Sequence, residues 1–189
     1  LVLGDSLAAG WGLDPGDSFV VRLETRLRAL GHRVRVINGG VTGDTSAGGR
    51  ARLVWALADK PDSAIVELGA NDGLRGLDPA VTFTNLDDIV KNLKAAGVRV
   101  LVAGMRAPPN LGRDYGVEFD AVFPRIAKKH GVALYPFFLA GVAARPGLNQ
   151  SDGMHPNQKG VAVIVDLITP YVVRLLKSSA PVQDEKNSQ

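Results

Sequence analysis

The 189-residue sequence contains no cysteine. Disulfide bonds, thiolate metal sites, cysteine nucleophiles and thiol redox chemistry are therefore excluded. No apolar run reaches the roughly 18 to 20 residues that a membrane helix needs. The formal net charge is only +3, and the basic residues are scattered rather than clustered, so nucleic acid binding has little support.

Hydrophobic residues make up 46% of the chain and charged residues 22%, which is typical of a globular fold. We expect one domain over residues 1–177 and a polar C-terminal tail over residues 178–189. The sequence begins with Leu1 rather than Met, and its three leading apolar residues are short for a buried strand. We therefore expect that residues are missing from the front, and no signal peptide is visible.

Short apolar runs alternate with longer stretches of helical period along the chain. The runs predict buried strands over residues 1–3, 34–37, 64–68, 98–103 and 132–134. The longer stretches predict helices over residues 19–30, 45–58, 79–96, 115–129 and 156–177. This alternation indicates an α/β fold with a five-stranded parallel sheet that is covered by helices on both faces.

The loops after the strands are where a functional site is expected, because open parallel sheets bind ligands beyond their carboxyl ends. Ser6 follows the first predicted strand directly. A helix start at that point offers backbone N–H groups to a developing negative charge, which suits a nucleophile. The alternative is that Ser6 only caps the helix.

A serine hydroxyl needs a base, and histidine is the best candidate for that role. His155 follows the last predicted strand, and Asp152 lies three residues before it, close enough to orient the imidazole. His32 and His130 lie at the ends of predicted helices, where we expect structural roles. The sequence therefore favours Ser6, His155 and Asp152 as a catalytic set.

Hydrolysis would also need donors for a developing oxyanion. Gly43 and Asn71 occupy the second and third loops of the same sheet edge. A glycine lets a backbone N–H approach a substrate, and an asparagine side chain donates without carrying charge. Taken singly, each residue is better explained as part of a turn than as an oxyanion donor.

Four sequence blocks in this order resemble those of the SGNH (GDSL-like) serine hydrolase family. The blocks are Gly4-Asp5-Ser6-Leu7, Gly43-Asp44-Thr45, Gly69-x-Asn71-Asp72 and Asp152-x-x-His155. Residues 68–76 and 153–157 are further similar to the bacterial thioesterase I, lysophospholipase and arylesterase branch. The resemblance implies a three-layer αβα sandwich of flavodoxin-like type.

The resemblance also implies an activity, which is cleavage of a small-molecule carboxylic ester or thioester through an acyl-enzyme on Ser6. His155 would be the base and Asp152 its orienting partner. The oxyanion donors would be the Ser6 and Gly43 backbone N–H groups and the Asn71 side chain. No metal or other cofactor is implied. Export to the periplasm or secretion is common in this branch and is therefore expected.

The loop over residues 105–114 resembles the loop that flanks the substrate in that branch. Ala107 stands where a bulkier apolar residue is common, so we expect a preference for short to medium acyl groups. The residues expected to line an apolar substrate groove are Trp11, Leu74, Leu77, Ala107, Pro108 and Leu111.

Three other functions remain open. The same blocks occur in carbohydrate O-acetyl esterases, although aromatic residues for sugar stacking are sparse at 6%. A metal-dependent phosphoesterase could use the carboxylates near His155, but such sites usually need several histidines. A flavodoxin-like binding module without catalysis would explain the fold and leave the grouping of Ser6, Asn71 and His155 without a cause.

Overall fold

The computed structural model describes residues 1–178, and within them the strands form one parallel five-stranded sheet. The strands are β1 (Val2–Gly4), β2 (Asn38–Gly40), β3 (Ser63–Glu67), β4 (Arg99–Ala103) and β5 (Ala133–Tyr135). Their order in the sheet is β2-β1-β3-β4-β5. This is the flavodoxin-like order, so the predicted fold class is confirmed.

Helices cover both faces of the sheet. They are α1 (Ser6–Ala9), α2 (Phe19–Ala29), α3 (Ser46–Ala51), α4 (Leu53–Leu57), α5 (Ala70–Leu74), α6 (Pro79–Ala95), α7 (Arg113–Asp120), α8 (Val122–His130) and α9 (Gln158–Lys177). Short 3₁₀ turns occur at Pro15–Asp17, Pro109–Leu111 and Pro146–Leu148. Helices α2 and α9 pack together in one layer, and α3, α6 and α8 pack together in the other.

The core forms because each helix presents an apolar stripe to the sheet. In α2, Phe19, Leu23 and Leu27 recur at helical spacing, and each is at most 1% exposed. Phe19 also meets Phe138 edge to face, with ring centroids 5.0 Å apart. In the same layer, α2 also packs against α9 and α1.

The second strand lies later in the chain than the prediction over residues 34–37. The sheet register pairs Asn38 with Val2, so residues 34–36 lie beyond the start of β1. Their backbone bonds to a helix instead, since the Val36 N–H donates to Glu24 Oε2 at 2.6 Å. The apolar run over residues 34–37 is therefore the segment that lies next to α2, and the edge strand β2 begins after it.

Two predicted helices are interrupted. The helix predicted over residues 45–58 is divided into α3 and α4 at Arg52, which has φ −100° and ψ 8°. There the Arg52 side chain turns to Asp44 and to the Gly4 carbonyl. The helix predicted over residues 115–129 is α7 followed by α8, which adjoin at Ala121.

The closing helix begins at Gln158 rather than at Pro156. The Asn157 side chain caps it by accepting from the N–H groups of Lys159 and Gly160 at 2.9 and 3.1 Å. Pro156 instead pairs with Asn149 in an antiparallel bridge. The predicted C-terminal tail lies, apart from Ser178, outside the described residues. No helix within residues 1–178 is both long and apolar enough to cross a membrane.

Candidate active site

Ser6 is the first residue of α1, directly after β1. The Asp5 side chain caps this short helix by accepting from the Leu7 N–H at 3.0 Å. Ser6 is 8% exposed, so its hydroxyl lies just below the surface at the carboxyl edge of the sheet. The turn from strand to helix therefore fixes where the hydroxyl points.

The structure brings Ser6, His155 and Asp152 into one hydrogen-bonded line. Ser6 Oγ lies 2.9 Å from His155 Nε2, across 149 residues of sequence. On the other side of the ring, His155 Nδ1 lies 2.6 Å from Asp152 Oδ2. When Nδ1–H donates to Asp152, Nε2 is left as an acceptor for the Ser6 hydroxyl. This arrangement can take a proton from serine.

Asp152 is held as a carboxylate by its own loop. Its Oδ1 accepts from the backbone N–H groups of His155 and Met154 at 3.0 and 2.9 Å. The His155 backbone N–H, the His155 ring and the Met154 N–H together lower the pKa of Asp152 to about 2. Asp152 is therefore charged at neutral pH and can keep His155 oriented.

The Asn71 side chain joins the loops that carry Ser6 and Gly43. Its Nδ2 donates to the Asp44 carbonyl at 2.9 Å and to Asp5 Oδ2 at 3.1 Å. Asp44 follows Gly43 in the chain, and Asp5 precedes Ser6. Three loops that were predicted to meet at one edge are thus connected through a single amide group.

The backbone N–H groups of Ser6 and Gly43 make no hydrogen bond among residues 1–178. Ser6 is at a helix start, where an N–H has no partner within the helix. Gly43 has φ +78°, a conformation that favours glycine, and Arg75 Nη2 holds its carbonyl at 2.9 Å. Both groups are available to a developing anion.

Two buried carboxyls lie beneath the nucleophile. Asp5 is 1% exposed, and burial raises its pKa to about 6, against the hydrogen bonds from Leu7 and Asn71. Glu67, at the end of β3, is fully buried, and its Oε2 accepts from the Asp5 N–H at 3.3 Å. Burial and the neighbouring Asp5 raise the pKa of Glu67 well above its usual value. A side chain at Gly4 would overlap Glu67 Oε2, which explains a glycine there.

Asp72 supports the same edge from behind. Its carboxylate accepts from the Ser46 N–H at 2.8 Å, from the Ser46 hydroxyl and from Thr82 Oγ1 at 3.2 Å. It is fully buried. The Asp72 carboxylate thus ties the start of α3 to α6, which is a structural role.

Sequence reasoning missed Glu67, Arg52 and Gln150. The signal for Glu67 was a lone acid at the end of an otherwise apolar strand. Arg52 donates to Asp44 Oδ2 at 2.6 Å and to the Gly4 carbonyl at 2.9 Å, and Gln150 connects the His155 loop to residue 11. No local pattern indicated these two residues, because their partners are distant in sequence.

The six residues predicted to line the substrate groove separate into two groups. Trp11 lies beside His155, with ring centroids 6.3 Å apart. The other five lie on the loops around α5 and the turn Pro109–Leu111. Those two loops touch, since Tyr115 Oη donates to the Leu77 carbonyl at 2.8 Å and a Cβ built at Gly76 would lie 3.6 Å from Leu111.

The remaining histidines, and the cavity that His32 lines, lie apart from this site. His130, at the end of α8, has its Nε2 2.7 Å from Asp87 Oδ1. His32 follows α2 and lines a cavity of about 450 Å³ beneath the amino ends of the strands. The recess that touches Ser6 and His155 is small, with a volume of about 10 Å³.

Comparison with known proteins shows which family this chain belongs to. The sequence profile of the GDSL-like lipase/acylhydrolase family matches residues 2–163. The chain belongs to that family. This GDSL-like chain is 42% identical over 177 residues to esterase TesA of Pseudomonas aeruginosa, which covers 93% of this chain and 88% of the relative. It is 39% identical to thioesterase 1/protease 1/lysophospholipase L1 of Escherichia coli K12, over 88% of this chain and 79% of the relative.

A solved structure supports the same family assignment. The crystal structure of AlinE4, an SGNH-hydrolase family esterase, superposes with a TM-score of 0.78 at 48% identity and covers 94% of this chain and 95% of that chain. The protein is a carboxylic ester hydrolase of the SGNH type. This conclusion favours carboxylic ester hydrolysis over both the non-catalytic binding module and the metal-dependent phosphoesterase.

Proposed function

We propose that Ser6 is the nucleophile of this hydrolase, that His155 is its general base and acid, and that Asp152 orients His155. The observation that carries the proposal is the hydrogen-bonded line from Ser6 Oγ through His155 to Asp152, with contacts of 2.9 and 2.6 Å. It lies at the edge of the sheet where the backbone N–H groups of Ser6 and Gly43, which have no partner within residues 1–178, could bind an anion.

The reaction would begin when Ser6 Oγ attacks the carbonyl carbon of the ester or thioester while His155 Nε2 takes the hydroxyl proton. The carbonyl oxygen then becomes an anion beside the Ser6 and Gly43 N–H groups and the Asn71 amide. As this intermediate collapses, the bond to the leaving group breaks and His155 gives its proton to the departing oxygen or sulfur.

The second half of the reaction would release the acyl group. His155 takes a proton from water as that water attacks the acyl carbon. The bond to Ser6 Oγ then breaks, and His155 returns the proton to the serine. A carboxylic acid leaves, and the enzyme returns to its starting state. The charged Asp152 would stabilise the imidazolium formed in both halves.

The proposal is tested with the 4-nitrophenyl ester burst and with labelling by a serine-reactive phosphonate. Ser6→Ala should abolish both, and His155→Ala should lose turnover to a similar degree, with no further loss in the double variant because the residues act as one unit. Ser178→Ala, at the end of α9, is the matched control. Full turnover by pure, folded Ser6→Ala protein would refute the proposal.

We further propose a preference for short to medium acyl groups, because Ala107 places a small side chain at a position of the substrate loop where a bulkier apolar residue is common in this branch. A panel of 4-nitrophenyl esters, acyl-CoA thioesters and acetylated sugars would rank the ester, thioester and carbohydrate O-acetyl esterase activities. Export to the periplasm or secretion, expected from the family resemblance, is also a proposal, and fractionation of cells that express the whole gene tests it.

A further inference from the structure

Trp11 is an aromatic side chain fixed next to the proposed base. Its ring centroid lies 6.3 Å from that of His155, with the two planes tilted by 46°. The residue is 54% exposed, so part of the ring faces solvent. A large apolar side chain left open beside a reacting group offers a contact surface for substrate.

The backbone of Trp11 is held to both halves of the proposed catalytic pair. Its N–H donates to the Ser6 carbonyl at 3.1 Å, and its carbonyl accepts from Gln150 Nε2 at 2.8 Å. The Gln150 N–H in turn donates to the His155 carbonyl at 2.8 Å. The position of Trp11 relative to Ser6 and His155 is therefore set by two hydrogen bonds of its own backbone, one to Ser6 and one to the Gln150 side chain.

The direction of proton transfer decides which part of a substrate would meet this ring. The leaving atom must come within hydrogen-bond reach of His155 Nε2, because it receives its proton from that nitrogen. The carbonyl oxygen points instead toward the Ser6 and Gly43 N–H groups. The leaving group therefore extends on the His155 side of the site, which is the side of Trp11.

The other apolar surface lies next to the oxyanion donors. Arg75 Nη2 holds the Gly43 carbonyl at 2.9 Å, and the Leu77 carbonyl, two residues on, accepts from Tyr115 Oη at 2.8 Å. A side chain at Gly76 would lie 3.6 Å from Leu111. Leu77 is 36% exposed in this group. An acyl chain can bind on this surface. The face of Trp11 is then open to the leaving group, which is the other substituent of the carbonyl carbon.

We propose that Trp11 determines leaving-group specificity by stacking on an aromatic alcohol or thiol portion of the substrate. The proposal rests on the triad proposed above and adds the chemistry of the part that departs first. It moves Trp11 from the acyl groove, where the sequence had suggested it, to the opposite side of the scissile bond.

Two acetates separate aromatic stacking from size. Benzyl acetate and cyclohexylmethyl acetate carry the same acyl group and alcohols with the same number of carbon atoms. Trp11→Ala should lower the ratio of their kcat/KM values, benzyl over cyclohexylmethyl, by roughly 3- to 10-fold, and Trp11→Phe should keep most of it. Trp55→Ala is the matched control, because Trp55 is 82% exposed on α4, a helix that carries none of the proposed catalytic residues.

A second measurement tests whether Trp11 contacts the leaving group or the acyl group of the substrate. With one common alcohol, the order of preference among acyl lengths should be the same in Trp11→Ala as in the unaltered protein. An unchanged benzyl ratio, or a shifted acyl order, would overturn the assignment. If the unaltered, folded protein hydrolyses neither acetate nor any 4-nitrophenyl ester, the triad proposal itself has failed, which is a different result.

Discussion

Removal of the Asn71 side chain tests how the proposed oxyanion site works. In the resting enzyme both amide hydrogens are engaged, one with the Asp44 carbonyl at 2.9 Å and one with Asp5 Oδ2 at 3.1 Å. An oxyanion can accept a hydrogen bond from Asn71 only when one of these two hydrogen bonds breaks. The longer one, to Asp5, is the one that we expect to break.

The size of the effect follows from that exchange. An oxyanion-site donor typically contributes about 3 to 4 kcal/mol. A hydrogen bond to a charged acceptor contributes roughly 1.5 to 3 kcal/mol, so the net gain with ionised Asp5 is about 1 to 2 kcal/mol. Asn71→Ala should therefore lower kcat by roughly 5- to 30-fold at pH 8 with little change in KM.

The same exchange predicts a pH dependence of the loss. Burial raises the pKa of Asp5 to about 6, so below that pH its carboxyl is neutral and a weaker competitor for the amide. A hydrogen bond to a neutral acceptor contributes about 0.5 to 1.5 kcal/mol of free energy. The fold loss caused by Asn71→Ala should therefore grow by about 5-fold between pH 8 and pH 5, when each variant is compared with unaltered protein at the same pH.

The assay is steady-state hydrolysis of 4-nitrophenyl acetate, with Asn92→Ala as control. Asn92 lies exposed on α6, and its Nδ2 donates to the Asp88 carbonyl, so the same change there should leave kcat unaltered. A higher KM with kcat retained would make Asn71 a ground-state binding residue. A loss of 100- to 1,000-fold that is equal at both pH values would show that Asp5 does not compete.

Three further predictions concern stability and specificity. Glu67→Gln should gain stability relative to unaltered protein as pH rises, by about 1.4 kcal/mol per pH unit above the usual glutamate pKa, because the buried acid stays neutral while the unfolded chain ionises. Urea unfolding from pH 5 to 7 measures this, and a constant difference would contradict it. Arg52→Met should cost about 1 to 3 kcal/mol of unfolding free energy, since it leaves the Asp44 carboxylate and a carbonyl unpaired, whereas the exposed Arg26→Met should cost less than about 0.5. Ala107→Leu should raise kcat/KM for octanoate over acetate by roughly 3- to 10-fold through added apolar contact, and palmitate as the best substrate of unaltered protein would refute the underlying idea.

The sequence by itself determined the fold class and the proposed site. Buried apolar runs that alternate with helical periods specify a parallel sheet, and parallel strands bring their carboxyl ends to one edge. That rule alone placed Ser6, Asn71 and His155 together, and the structure brings Ser6 and His155 within 2.9 Å across 149 residues. The physical signal is local, since each element can be recognised from its own periodicity.

Only the tertiary structure decided the features that depend on distant partners. The start of β2 is set by its register against β1, and Arg52 interrupts a helical run because its side chain reaches Asp44 and Gly4. The burial of Glu67 and the position of Trp11 beside His155 likewise come from contacts across the fold. Hydrophobic periodicity does not indicate which polar group a side chain will bind, because that contact depends on how separate helices and strands pack.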